Sequence, residues 1–278
     1  MAGVCEGSSL SDEDTLPLQA PVGYYPMPTL ALDLGNTALK YGLFGPEGAR
    51  ESGVLTTSAQ LAALWQRAQP RQAILSSVAE EAATQPWLAE LAALNGLARV
   101  LPFRPGFTPV PLRNAYATPH TLGPDRLAGA VGAASQYPGQ DVLIIDAGTA
   151  LKLDLVTADG TYHGGSIAPG LRMRLQALHA FTGRLPLLEL PPAAEPVQLI
   201  GRSTASSLLS GVVGGTAAEV RGRVAEYQQR YPDLRVILTG GDAPYFAAAL
   251  TPLAGRIFAV PELVLLGLDK ILRYNVDN

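Results

Sequence analysis

The chain carries one short pattern twice. Leu30-Ala31-Leu32-Asp33-Leu34-Gly35-Asn36-Thr37-Ala38-Leu39-Lys40 returns as Leu143-Ile144-Ile145-Asp146-Ala147-Gly148-Thr149-Ala150-Leu151-Lys152 once Asn36 is treated as an insertion. In each copy an apolar run ends in Asp, a Gly and a Thr turn the chain, and alternating apolar positions follow. That is the signature of two strands joined by a tight turn. The two aspartates stand 113 positions apart, about one domain length. A chain of 278 residues has room for two domains at roughly 150 residues each, and either could bury its own core without staples. Two domains of similar build, each opening with such a hairpin, is the expectation that constrains everything else.

The segments between the hairpins alternate in type. Ser58 is placed to cap a helix through Leu61 to Arg67, Ala73-Ile74-Leu75 reads as a strand, Trp87 to Leu94 has helical spacing, and Ala98 to Leu101 is extended again. Pro102 to Pro124 contains six prolines and reads mostly as loop, with a helix starting at Pro124, where proline suits the first turn. In the second half helices are expected near 170–181, 204–228, 242–250 and 262–273, and a strand over Arg235 to Leu238 runs into Gly240-Gly241. This alternation argues an α/β class. The divisions are 1–28 as a flexible extension, 29–139 as the first domain and 140–278 as the second.

Composition narrows the function. The 20 basic and 24 acidic residues leave −4, and Glu6, Asp12, Glu13 and Asp14 account for that imbalance, so the remaining body is neutral. A neutral body offers no field for nucleic acid or an anionic membrane, and no apolar run reaches membrane-spanning length. The single cysteine, Cys5, excludes an intramolecular disulfide and a cysteine-based zinc cluster. These features suit a reduced, cytoplasmic protein without nucleic-acid or membrane partners. His120 and His163 lack partner histidines at metal spacing and read as loop residues.

A strand ending in Asp, followed by Gly and a hydroxyl residue, presents phosphate-binding chemistry. Glycine lets the backbone approach phosphate oxygens and Thr adds a donor. The carboxylate would repel phosphate directly, so its task is to hold a cation or a metal-bound water. One such turn is weak evidence, since Asp and Gly are ordinary turn formers; two at domain spacing are much stronger. Thr239-Gly240-Gly241-Asp242 is a third glycine turn, suited to the adenosine end of a nucleotide.

Five segments together carry a resemblance: Asp33 to Thr37 with Lys40; Leu122-Gly123-Pro124-Asp125-Arg126; Asp146 to Ala150 with Asp154; Gly164 to Gly170; and Thr239 to Asp242. From about residue 29 onward the chain resembles the type III pantothenate kinases of the acetate and sugar kinase/Hsp70/actin superfamily. The resemblance implies two ribonuclease H-like domains with an ATP cleft between them. It also implies phosphorylation of pantothenate to 4'-phosphopantothenate, the first step of coenzyme A synthesis. Carried over by position, Asp33, Leu34, Gly35, Asn36, Thr37, Ala38, Leu39 and Lys40 form the first phosphate loop, with Asp33 organising Mg²⁺ through water. Thr149 contacts ATP and Asp146 binds a monovalent cation, K⁺ or NH₄⁺. Gly123, Pro124, Asp125 and Arg126 bind pantothenate together with Tyr116, and Asp125 is the proton acceptor. Thr182 reaches the substrate from the partner subunit of a homodimer.

Elementary chemistry supports part of this. Phosphoryl transfer needs positioning, charge neutralisation and a carboxylate to accept the hydroxyl proton. Asp125 would stand in the first turn of a helix, where the dipole favours a carboxylate, and Arg126 is free to pair with an anionic substrate; Pro-Asp-Arg is equally an ordinary helix cap. Tyr116 is as readily a packing residue as a contact. Asp154 reads as a strand cap. Lys152 departs from the family pattern, which often has a small hydroxyl residue there. Turned into the cleft, Lys152 adds a cation near the phosphates or displaces the monovalent ion; turned outward, it is solvated. The small residues Gly211, Gly214, Gly215, Ala217 and Ala218 suit close helix packing within the domain, or a dimer. Another small-molecule kinase and a non-catalytic accessory protein are the competing readings.

Overall fold

The computed structural model describes residues 28–35, 38–79, 81–94, 99–253 and 256–276. The expected extension, apart from Pro28, and Asn36 and Thr37 lie outside them. The first sheet is built from β1 (Thr29–Leu34), β2 (Leu39–Gly45), β3 (Gly48–Leu55), β4 (Gln72–Ser77) and β5 (Arg99–Pro102), in the order β3-β2-β1-β4-β5. Strands β1 to β3 form an antiparallel meander, whereas β4 and β5 run parallel to β1. Parallel addition needs crossovers, supplied by α1 (Ser58–Ala68) and α2 (Glu81–Leu94). The cap of α1 is Thr57 and not Ser58: its hydroxyl accepts from the Gln60 amide while the Gln60 side chain reaches back, a complete capping box.

The second half repeats this plan with β7 (Val142–Ala147), β8 (Ala150–Val156), β9 (Thr161–Pro169), β10 (Arg235–Thr239) and β11 (Ile257–Ala259). Read from β9, its order β9-β8-β7-β10-β11 is that of the first sheet. The proline-rich segment is not wholly loop, since a two-strand-residue β6 (Arg113–Asn114) pairs with β9 and Pro119–Thr121 forms a 3-10 turn. The helices are α3 (Pro124–Gln136), α4 (Leu171–Ala180), α5 (Thr204–Leu209), α6 (Gly215–Arg230), α7 (Pro244–Ala247) and α8 (Leu263–Val276). The helix expected over 204–228 is interrupted, because Ser210–Gly214 widens into a π segment between α5 and α6. Gly211, Gly214 and Gly215 face open space within 4 Å of where a Cβ would stand, so packing inside the domain does not explain them.

Three cores result. An outer core of the first sheet gathers Leu30, Leu32, Leu61 and Trp65, and an outer core of the second gathers Leu143, Ile145, Leu175 and Val220. Between the sheets, Ala31, Phe44 and Ile74 from one side and Ile144 and Ile237 from the other share a core with Leu127, Val131, Leu268 and Ile271 of α3 and α8. Helix α8, last in the chain, packs on β1, β2 and β4, while α3 packs on β7 and β8, and the two helices pack on each other. Polar contacts fix α8 in place: Thr29 Oγ1 donates to Asp269 Oδ1 at 2.5 Å, and Arg273 donates to Asp269 at 2.8 Å and to the Gly45 carbonyl at 3.0 Å. The C-terminal helix thereby ties the two halves together and fixes the cleft between them.

Candidate active site

Each central strand carries its aspartate one residue before its end, and the duplicated turns that follow line one cleft of about 590 Å³. The registers match, with Asp33 opposite Lys40 in β1–β2 and Asp146 opposite Lys152 in β7–β8. Both turns close alike, Gly35 N to Ala38 O and Gly148 N to Ala150 O, each at 3.1 Å. Of the expected nucleotide residues, Asp33, Gly35, Ala38, Lys40 and Thr149 line this cleft. Leu34 and Leu39 do not: both are buried in the outer core of the first sheet, so only their backbone is available to a ligand. The third glycine turn closes the far wall. Gly240 has φ +91°, and a Cβ there would lie 2.7 Å from Asp146 Oδ1, so this position needs a residue without a side chain. Asp242 N donates to the Ala147 carbonyl at 2.9 Å, and the buried Asp242 carboxylate accepts from Arg172 at 2.5 Å.

Helix α3 brings the substrate segment to the same cleft. Gly123 is its N-cap residue, Pro124 its first residue, and Asp125 lies in the first turn. Gly123, Asp125, Arg126 and Tyr116 line the cleft, whereas Pro124 does not. Two consecutive residues of α3 meet two alternate residues of β8. Lys152 turns into the cleft, its Nζ lying 2.6 Å from Asp125 Oδ2 and 2.7 Å from Asp146 Oδ2. Asp154, two residues on and therefore on the same face of β8, takes Arg126 in a forked pair, 2.5 Å from Nη2 and 3.1 Å from Nε. Asp154 is thus a buried anchor and not a strand cap; alternation puts it on the face of Lys152 but leaves open which face that is. The Tyr162 hydroxyl donates to the same carboxylate at 2.8 Å.

The Arg126 side chain is 5% exposed, and its Nε and Nη2 are committed to Asp154, which leaves Nη1 as the nitrogen that can turn to the cleft. Its Nη1 points to the Tyr116 hydroxyl at 3.5 Å, and the guanidinium lies 5.5 Å from the centre of the Tyr116 ring. A Cβ at Gly164, which has φ +83°, would meet that ring at 2.7 Å, so Tyr116 is seated by packing as well as facing the cleft. Thr182 lies outside the cleft of its own chain. It is exposed just beyond α4, and its hydroxyl donates to the Leu178 carbonyl at 2.6 Å.

Charge in the cleft is uneven. Burial and then the negative charge of Asp125 raise the Asp33 carboxyl from 3.8 to about 6, against a hydrogen bond from Ser76 at 3.1 Å and the pull of Lys40 and Lys152. Burial opposes a charged Lys152, but Asp146 and Asp125 more than offset it and hold the ammonium above its ordinary range. Lys40 is exposed and makes no ion pair among the described residues, which leaves its charge available. His120 and His163 are outside the cleft: His120 lies against Phe107 with ring centres 4.6 Å apart, and His163 Nε2 is 2.9 Å from Thr157 Oγ1.

The family model for type III pantothenate kinase matches residues 29–226. The chain belongs to that family. A type III pantothenate kinase of Bacteroides fragilis is 42% identical over 252 residues, covering 88% of this chain and 98% of the relative. One from Cytophaga hutchinsonii is 36% identical over 247 residues, covering 89% and 99%. Among solved structures, a Campylobacter jejuni protein provisionally placed in the Baf family of transcriptional activators superposes with a TM-score of 0.56 at 17% identity, covering 90% of this chain and all of the other. A provisional 2-dehydro-3-deoxygalactonokinase of Sinorhizobium meliloti gives 0.55 at 18% identity, covering 91% and 99%. These two likenesses show the fold alone, the two-sheet, actin-like α/β arrangement that the family resemblance implies. No helix among the described residues is long and apolar enough to cross a membrane.

Proposed function

We propose that this chain transfers the γ-phosphoryl group of ATP to the primary hydroxyl of pantothenate, with Asp125 accepting the hydroxyl proton. The observation that carries this reading is the convergence of Asp33, Asp125 and Asp146 with Lys40 and Lys152 in one cleft between the duplicated hairpins. The proposed halves are residues 29–139 and 140–278. The Gly35 and Gly148 turns and the Thr149 hydroxyl face the phosphates, with Lys40 as an exposed cation beside them. The Gly240 turn accommodates the adenosine end. Tyr116, Gly123 and Arg126 form the pantothenate wall, where Nη1 is the Arg126 donor nearest the Tyr116 side.

A Mg²⁺ ion fits Asp33. That carboxylate is buried, opens to the cleft and has an incompletely compensated charge, and hard oxygen donors suit a hydrated Mg²⁺. Bound there, Mg²⁺ would neutralise charge on the transferring phosphates. An added K⁺ or NH₄⁺ at Asp146 does not fit, because the Lys152 ammonium already holds that carboxylate. Phosphoryl transfer then rests on residues of the chain. Asp125, held at Oδ2 by Lys152, directs its other oxygen over the Gly123 turn, where a Cβ would lie 2.7 Å from Oδ1. An acceptor hydroxyl bound beside that turn gives its proton to Asp125 as its oxygen bonds to phosphorus and the bond to ADP breaks.

We further propose a homodimer in which Thr182 reaches the partner's pantothenate site. The support is the open glycine face and the exposed apolar residues beside Thr182. The deciding assay follows ADP formation with pantothenate as acceptor, with Asp125→Asn alongside. Turnover in the parent and a fall of about 10²–10⁴-fold in kcat for the variant, with Mg-ATP affinity kept, is the expected result. A parent that binds Mg-ATP but leaves pantothenate unphosphorylated would sink the substrate, and a variant within threefold of the parent would sink the base.

A further inference from the structure

We infer that the Lys152 ammonium is a built-in counter-cation for this cleft, so that the reaction proposed above requires no added monovalent ion. The inference rests on that reading of the site and extends it to a requirement for, or independence from, a solution component. Lys152 Nζ is within hydrogen-bond distance of one carboxylate from each side of the cleft, Asp125 on α3 and Asp146 at the end of β7. Its side chain is 16% exposed, so solvent screens it little. Without it, Asp33, Asp125 and Asp146 would face polyanionic ATP with Lys40 as the remaining lysine of the lining. A compact ammonium is a point charge with three donors, and two of these are used here on the two carboxylates.

The duplicated hairpins supply an internal comparison. Lys40 and Lys152 hold equivalent registers, each opposite the aspartate of its own turn. Lys40 is exposed and forms no ion pair among the described residues, whereas Lys152 is drawn in by the additional carboxylate from α3. The same residue type therefore does two jobs: one lysine is left for the ligand and the other is spent on the protein's carboxylates. A soluble cation at Asp146 would have to share that carboxylate with an ammonium 2.7 Å away. Two cations sharing one carboxylate stand about 4 Å apart, and at an effective dielectric of about 20 their repulsion lowers occupancy by about three orders of magnitude.

The test uses the full chain in tetramethylammonium buffer, titrated with KCl, NH₄Cl or NaCl, and follows two quantities: pantothenate turnover and Mg-ATP affinity by calorimetry. In the parent, both should change less than about twofold with any of the three salts, as expected where no ion binds. Lys152→Ser should lose about 10²-fold in turnover in tetramethylammonium alone, and regain at least about tenfold of it with potassium or ammonium. Its Mg-ATP affinity should become potassium-dependent. A parent that rises tenfold or more on adding potassium overturns the inference. So does a folded Lys152→Ser as active as the parent without added ions, or one that no cation restores. Should Lys152→Ser fail to fold by thermal melting, the parent titration decides alone. Should the parent leave pantothenate untouched, the kinase reading fails on its own, and the salt dependence of Mg-ATP affinity still decides the role of Lys152.

Discussion

Asp33 is held in the cleft at a cost to the empty protein. Its carboxyl stands near 6 instead of 3.8, chiefly through burial and then through the charge of Asp125. With the folded value raised, the native state binds the extra proton between these limits, so stability from this group falls as pH rises through that window. Above about pH 6 the whole penalty persists, about 3 kcal/mol at most at 1.36 kcal/mol per unit. Asp33→Asn, an amide of the same shape, should therefore raise the melting temperature of the metal-free protein at pH 7 and have no such effect near pH 3, where both proteins are uncharged at this position. Thermal melts of the pair from pH 3 to 8 measure it, and an Asn variant that melts lower at pH 7 would count against it. The same variant should lose Mg-ATP turnover, since its amide cannot hold a hydrated divalent ion as a carboxylate does. The aspartates were legible in the sequence because each ends a repeated apolar strand. The direction of Lys152 and the partner of Arg126 were not, because both depend on α3 lying over β8. Strand alternation alone leaves two faces open, and it is Asp125 and Arg126 together that select which face Lys152 and Asp154 take.

The hairpins and the α/β alternation could be read directly, because period-two strands closed by Asp and Gly are local signals. The α3–α8 contact could not: its two helices are far apart in sequence, and what joins them is an absence of side chains. A Cβ on Gly267 would collide with the Ala128 carbonyl and lie 2.9 Å from the Gly132 amide nitrogen, both in α3. Backbone atoms cannot swing aside as a side-chain end can, so Gly267→Ala should cost about 1–3 kcal/mol through overpacking. That corresponds to a melting temperature lowered by several degrees for a chain of this size. Gly222→Ala supplies the opposite case. It lies on the exposed face of α6 with nothing within 4 Å of the new carbon, and relief of glycine's helix penalty should stabilise the protein by about 0.5–1 kcal/mol. Differential scanning calorimetry on the pair separates the two effects; equal melting temperatures would show that the crossing is looser than its backbone distances require. The break between α5 and α6 was likewise hidden, since Ser210–Gly214 has no proline to announce it and small residues fit α and π backbones equally well.

At the scale of the molecule, a second concavity is larger than the reaction cleft. A groove of about 1140 Å³ runs between α4 and the α5–α6 region, lined by Met173, Leu178, Phe181 and Val212 and by no carboxylate. Around it Phe181 is 88% exposed, and Leu199 and Ile200 are 92% and 74% exposed. Soluble monomers seldom leave large apolar side chains clustered in this way, and the open Gly211 and Gly214 beside them admit close approach of another helix. A second copy of this chain satisfies both features, and it would carry Thr182, the neighbour of Phe181, towards the other subunit. Sedimentation velocity should find the parent dimeric and Phe181→Asp largely monomeric, because a carboxylate buried in an apolar interface is costly unless it is paired. Kinetics give the second half of the test. Loss of the partner's Thr182 should raise KM for pantothenate several-fold while leaving KM for ATP nearly unchanged, since the ATP-facing turns belong to one chain. If Phe181→Asp dissociates the dimer and both constants stay as they were, each cleft is complete in itself and Thr182 has no part in binding. If the parent itself is monomeric, the groove serves some other partner and the dimer reading fails.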